Sequence, residues 1–264
     1  SMSLARTENR RLPDDNAFSN PLQMSALTPV TPFTDPETGL PTGTPPGDIN
    51  LPLYYNPMLN INYARYTSVG FRNLSNAYAQ LQLAPGLSFR TELGVDVLSQ
   101  NEEGYWKSQT VRNNADASSG NGMSYGTFVT NYNTNNFFTY DKIFGQHGLT
   151  AVLGMSYQDS QTRQNYVEGI QFPSDSYQKI ASAATKSNGS SSEDNFRFLS
   201  YFARANYKFS EKYLLSLSAR IDGSSRFGAN ARYGFFPAAS AGWVLTEEQF
   251  MKGFSALSFL KLRA

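Results

Sequence analysis

Gly122-Met123-Ser124-Tyr125-Gly126 has the Gly-x-Ser-x-Gly spacing of a nucleophile elbow, which exposes a serine hydroxyl on a strand-to-helix turn beside a histidine base. The only histidine is His147, between Gln146 and Gly148 in what reads as a short turn, and no helical pattern follows Ser124. The match is read as coincidence. Ser176-Tyr177-Gln178-Lys179 has Ser-x-x-Lys spacing but lacks the Ser-Asp-Asn and Lys-Thr-Gly companions of the acyl-transfer enzymes that use it. Asp14-Asp15 and Glu102-Glu103 are adjacent carboxylates; on a strand, neighbours project to opposite faces, so neither pair can flank a glycosidic bond. One histidine and no cysteine exclude a multi-histidine or thiolate metal centre and any disulfide framework. No catalytic residue, metal site or cofactor is assigned.

The elements that would hold any site are strands. Phe and Tyr number 19 and 16, hydrophobic residues are 40% and charged residues only 16%, too apolar a chain for disorder. Lys plus Arg is 22 against 21 Asp plus Glu, so no charge excess points to nucleic acid. No apolar run of about 18 residues exists, which excludes a transmembrane helix but not a transmembrane barrel, whose strands alternate. Alternation is clear in Leu87–Val97, in the apolar series Leu149, Ala151, Leu153, Met155 and Tyr157, and in Leu199 to Phe209 at every second residue. It recurs in Tyr213, Leu215, Leu217, Ala219 and Ile221. Each series faces a polar one, which places the two sets on opposite faces of a sheet. The fold class is all-β.

The connections alternate in length. Ala84-Pro85-Gly86, residues 141–148, Ser210-Glu211-Lys212 and the stretch around Lys252-Gly253 read as short turns. Residues 13–66, about 109–122, about 166–193 and 223–233 read as long polar loops, the first broken by repeated prolines that remove backbone donors. That plan fits an antiparallel up-and-down transmembrane β-barrel, with short periplasmic turns and long extracellular loops. Aromatics crowd the short-turn ends: Phe137, Phe138, Tyr140 and Phe144; Tyr207, Phe209 and Tyr213; Trp243, Phe250 and Phe254, as an interfacial girdle requires. The alternative is a soluble β-sandwich, such as a carbohydrate-binding module, with these rings in its core.

The final third carries a longer signature. Tyr207 to Tyr213 leads through Ala219-Arg220-Ile221-Asp222-Gly223-Ser224-Ser225-Arg226-Phe227-Gly228 to Arg232-Tyr233-Gly234-Phe235-Phe236-Pro237, on to Gly242-Trp243 and then Glu247-Glu248-Gln249-Phe250. With Asn16 to Met24 and Leu87 to Asp96, this series resembles the SusC/RagA family of TonB-linked outer-membrane proteins. The resemblance implies a barrel of about 22 strands, of which about eight or nine are present here. It further implies nutrient import without catalysis, of oligosaccharides or peptides, across the outer membrane of a Gram-negative, Bacteroidota-type bacterium. A SusD-like surface lipoprotein, the TonB complex and outer-membrane lipid would be the partners. No plug and no terminal strand are recognised between Ser1 and Ala264, so the chain reads as a piece of a larger barrel domain, with 13–66 a long extracellular loop and 67–264 barrel wall.

The motif also has a physical reading. Arg220 and Asp222 share the polar face, and Arg226 lies just beyond, so the three are expected to form a charge network that stiffens the wall. Gly223 and Gly228 are expected to supply positive φ where the chain turns at the rim. Ser224, Ser225, Phe227, Gly234, Pro237, Gly242 and Trp243 complete the motif and are read as structural. Tyr54 and Tyr55 in the first long loop, and Trp106 and Tyr166 near strand-to-loop exits, are the aromatics placed to receive a ligand or partner, and no ligand-contacting residue is assigned.

Overall fold

A computed structural model describes residues 1–11, 34, 36, 39, 58–110, 119–254 and 257–264. The Asn16–Met24 series, Asp14-Asp15 and Tyr54-Tyr55 lie outside the described residues. Among the described residues there are nine strands: β1 (Met2–Arg11), β2 (Ala64–Ala84), β3 (Leu87–Trp106), β4 (Asn121–Phe144), β5 (His147–Ile170), β6 (Thr185–Phe209), β7 (Tyr213–Ser224), β8 (Tyr233–Val244) and β9 (Lys261–Arg263). They form one antiparallel sheet in chain order. A short helix, α1 (Met58–Tyr63), leads into β2. With every described strand in a single sheet there is no second layer, and the sandwich alternative falls.

At one end the connections are tight. Pro85-Gly86 joins β2 to β3, Gly145-Gln146 joins β4 to β5, and Ser210 to Lys212 joins β6 to β7. Gly86 has φ of 82°, the conformation a type II turn requires after proline, and a Cβ there would lie 2.5 Å from the Asp141 carbonyl oxygen. Ser210 and Glu211 also sit in the left-handed region, held by Ser210 N–H on Gln146 O at 2.7 Å and Lys212 N–H on Phe209 O at 3.0 Å. The β8–β9 connection is longer, with single 3₁₀ turns at Leu245–Glu247 and Gln249–Met251. It spans residues 245–260, not the short turn expected around Lys252-Gly253, while the β1–β2, β3–β4, β5–β6 and β7–β8 connections lie at the opposite end.

The strands outrun the sequence reading. Residues 185–193, expected in a loop, are the first part of β6 and pair with β5 up to Ile170. Hydrophobic alternation could not reveal this segment, because Ser, Asn and Gly occupy both faces. Backbone ladder bonds hold it, reinforced across the strands by Ser191 Oγ on Asn165 Oδ1 (3.0 Å) and Gln161 Nε2 on Glu193 Oε1 (2.6 Å). Residues 2–11, given no element above, supply β1, which is polar on both faces beyond Ala5. His147 is the first residue of β5 rather than a turn residue; its Nδ1 lies 2.6 Å from the Tyr207 hydroxyl and its ring 4.8 Å from that of Phe209.

Directly paired residues share a face, so each face can be followed across the sheet. One row runs Phe89, Phe138, Leu153, Ala203, Ala219, Pro237; another on the opposite face runs Glu92, Asn135, Ser156, Ser200, Asp222, Gly234. The apolar face carries Leu153 and Phe235, each 63% exposed, and buried apolar side chains are few. Water would penalise that surface by about 25 cal/mol per Å². This face is built for an apolar surround. Tyr207, Phe209, Tyr213 and Trp243 gather at its tight-turn edge, with Phe209 and Tyr213 stacked at 6.3 Å and Tyr213 and Trp243 at 6.4 Å. Phe137 departs from the expected belt: it pairs with Arg90 and Gly154 and so lies on the polar face.

Candidate functional site

The polar face is a wall of partnered charges. Arg72 holds Asp96 in a two-point fork, Nε to Oδ1 at 2.9 Å and Nη2 to Oδ2 at 2.7 Å. Arg90 Nε donates to Glu92 Oε1 at 2.7 Å, Asn135 reaches the other oxygen of Glu92 at 3.2 Å, and Arg90 lies 4.2 Å over the Tyr78 ring. Asn206 Oδ1 accepts from both Arg204 (3.2 Å) and Ser216 (2.7 Å). Alternation forces these residues together, since cross-strand partners on one face lie about 5 Å apart.

In the motif, Arg220 Nε donates to Asp222 Oδ1 at 2.5 Å and Nη2 to Ser200 Oγ at 3.0 Å, which ties β7 to β6. Arg226 does not join them. It turns to β6, where Nη2 meets Asp194 Oδ2 at 2.6 Å and the guanidinium lies 4.6 Å over the Phe196 ring. The reason is reach: Ser225 is fastened to β6 at Arg197, its Oγ accepting the Arg197 N–H at 2.8 Å and its own N–H donating to the Arg197 carbonyl at 3.0 Å. Ser224 Oγ accepts the Arg226 N–H at 3.3 Å.

The glycine expectation is also corrected. Neither Gly223 nor Gly228 has positive φ; Gly228 sits at −58°. At Gly223 the constraint is steric, for a Cβ would lie 2.4 Å from the Tyr233 ring. Gly228 has open space around it and Phe227 is largely exposed, and nothing in the structure explains either. Gly234 and Gly242 lie on the polar face opposite Asp222 and Leu214, while Pro237 lies on the apolar face opposite Ala219.

Trp243 is engaged at the tight-turn edge. The Glu248 carboxylate accepts Lys212 Nζ at 3.0 Å, the Tyr213 hydroxyl at 2.8 Å and the Trp243 indole N–H at 3.1 Å. Those three donors, Lys212 foremost, pull its pKa down to about 2. The sequence reading included Glu248 only as part of the family series Glu247-Glu248-Gln249-Phe250 and gave it no role.

At the far end, the connection 171–184 folds back on the apolar-face side of β3. Phe172 packs edge-on against Tyr105 at 5.0 Å, with Ala183 and Ile180 completing a small core. The Tyr105 hydroxyl donates to Asp175 Oδ1 at 2.9 Å; burial first, and then this carboxylate, raise the phenol's pKa. Trp106, placed above among the candidate ligand-stacking rings, is 1% exposed and so cannot stack on a ligand in this conformation. The Tyr166 hydroxyl donates to Glu168 Oε2 at 3.1 Å.

The catalytic patterns come apart in space. Ser124 sits within β4 opposite Val167, and His147 begins β5 some 20 positions away, about 65 Å at ordinary strand rise. Lys179 Nζ is 2.6 Å from both oxygens of Glu103, and Glu102 turns to the other face, where Gln100 donates to it at 3.0 Å.

Residues 12–259 match the family model described as "TonB dependent receptor-like, beta-barrel". The chain belongs to the TonB-dependent receptor-like β-barrel family. Among curated relatives, TonB-dependent receptor P39 of Formosa agariphila is 35% identical over 190 residues, 71% of this chain and 18% of that receptor. TonB-dependent receptor SusC of Bacteroides thetaiotaomicron is 34% identical over 133 residues, 50% of this chain and 13% of that receptor. A solved structure of the RagAB peptide transporter superposes with a TM-score of 0.75 at 22% identity, covering 85% of this chain and 25% of the other. That likeness concerns the fold. The chain thus spans less than a fifth of these two relatives and forms a nine-stranded arc of a TonB-dependent receptor barrel.

Proposed function

We propose that this chain is part of the wall of an outer-membrane, TonB-dependent importer of the SusC type, which takes up oligosaccharides or peptides without chemical conversion. The apolar face would meet lipid, the polar face the lumen, the tight turns the periplasm and the long connections the exterior. A SusD-like lipoprotein would cap the long-connection end, and the TonB complex would supply energy through parts of the receptor outside this chain. The observation that carries this reading is the two-faced single sheet. Its apolar rows from Phe89 to Pro237 are exposed, while the charges opposite them are partnered side by side.

The chain has no cysteine, so single cysteines in this chain can report each face once any elsewhere in the receptor are replaced. In the full-length receptor in cells, Leu153→Cys and Leu217→Cys should resist a membrane-impermeant maleimide, and Ser216→Cys and Ser218→Cys should react on the lumen side. Equal labelling of both sets would overturn the membrane reading. Uptake of labelled oligosaccharide and peptide pools by a strain lacking the receptor, compared with its complemented parent, decides the solute class.

A further inference from the structure

On β1, β2, β5 and β6 the outward face turns charged within one or two outward positions above the apolar band. On β5 and β6 the outward apolar series ends at Tyr157 and Leu199, and the next outward pair is Asp159 with Arg197, 2.9 Å apart. Two rows further, Arg163 meets Glu193 at 3.3 Å. On β2 the series ends at Val69 and is followed by Thr67 and Arg65; on β1 it ends at Leu4 and is followed by Arg6. Val69 lies several rows nearer the long connections than Leu199 does. The β2–β3 turn also lies nearer the long connections than the β4–β5 turn, as on tilted strands, while the β1 edge at Leu4 pairs with Asn73, four positions short of Val69.

This edge carries more cations than it needs for its own carboxylates. Glu103 is shared by Lys179 at 2.6 Å and Arg65 at 3.9 Å, and Glu8 by Arg6 and Arg10, both at 3.2 Å. The cations are well exposed: Arg197 62%, Lys179 71%, Arg163 54%. Exposed ion pairs of this kind are worth only ~0–1 kcal/mol, so a guanidinium can re-pair with an incoming phosphate, which it meets with two parallel hydrogen bonds.

We propose that this outward cationic edge binds the phosphorylated headgroups of lipids in the adjoining outer leaflet. Arg197 and Arg163, on the outward faces of β6 and β5, and Lys179, which connection 171–184 carries to Glu103 over β3, form the site. The headgroup phosphate sits beside the guanidinium groups while its acyl chains run down the apolar rows below Leu199 and Tyr157. The inference rests on the membrane orientation proposed above and is independent of what is transported.

The test is native mass spectrometry of the full-length receptor in detergent, titrated with phosphatidic acid, phosphatidylcholine or inorganic phosphate. The wild type should retain phosphatidic acid in preference to phosphatidylcholine. Arg163→Gln, Arg197→Gln and Lys179→Gln should each weaken that retention about fivefold, whereas Arg163→Lys and Arg197→Lys should preserve it. Arg204→Gln and Arg220→Gln, on the inner wall, should leave it unchanged. Heat-modifiable gel mobility confirms that each variant has folded. Equal retention of both lipids, or no loss in folded glutamine variants, overturns the proposal. So does displacement of phosphatidic acid by millimolar inorganic phosphate, which would make this a site for free anions. If Leu153→Cys is protected from maleimide and these outcomes still occur, only the lipid site fails; if Leu153→Cys labels freely, the membrane reading fails with it.

Discussion

The indole N–H of Trp243 donates to Glu248 Oε1 across 3.1 Å, joining the end of β8 to the connection that follows it. The same carboxylate takes Lys212 and Tyr213 from the β6–β7 turn, so one side chain fastens two neighbouring turns at the aromatic edge. The apolar face gives the sheet no second layer to lock its ends, and this polar hub does so locally.

The hub is pH-sensitive in a defined sense. Glu248 has a folded pKa of about 2 against an ordinary 4.5, so its stabilisation is fully present above about pH 4.5 and is lost as pH falls through about 2. The 5-fluorotryptophan resonance of Trp243, assigned by its loss in Trp243→Phe, should shift near pH 2 and not near 4.5. In Glu248→Gln the acid step should vanish.

The Arg220–Asp222 pair should matter little for stability. Arg220 is half-exposed, and pairs of that kind are worth ~0–1 kcal/mol. Denaturant unfolding of the bilayer-inserted receptor should place Arg220→Ala within about 1 kcal/mol of wild type. A larger loss would show that the tie to Ser200 on β6 carries more than the ion pair does.

Charge tolerance should differ sharply between faces. Leu153→Arg, on the apolar face, should destabilise the bilayer-inserted receptor by about 2–4 kcal/mol, and Ser156→Arg, on the polar face, by far less. Bilayer unfolding monitored by tryptophan fluorescence gives both numbers. Similar costs at the two positions would contradict the assigned faces.

Gly154 is a packing constraint on the polar wall. A Cβ there would meet Phe137 Cβ at 2.6 Å, the Phe202 ring at 2.7 Å and the Asn136 carbonyl oxygen at 2.8 Å. Gly154→Ala should cost about 1–3 kcal/mol, the usual price of overpacking, and Phe202→Leu should recover part of it. The double mutant in the same unfolding assay measures the coupling.

Much of this architecture is legible in the sequence because a two-residue period is a local property. Leu149 to Tyr157 and Tyr213 to Ile221 declare their faces without reference to any partner, and Pro85-Gly86 declares its turn by backbone chemistry alone. Tight turns fix only the pairs β2–β3, β4–β5 and β6–β7; that these pairs join in chain order into one sheet, and not into a sandwich, is decided by the pairing across the long connections. What lacks a local signal had to come from pairing. Residues 185–193 are strand because β5 continues beside them, Arg226 goes to Asp194 because Ser225 is pinned at Arg197, and Trp106 is buried at the end of β3 next to the outward clamp of Phe172 on Tyr105. The charged edge above Leu199 belongs to the same class. Its residues are scattered from Arg6 to Arg197, and only strand register, with Lys179 carried in by a folded-back connection, brings them to the long-connection side of one face.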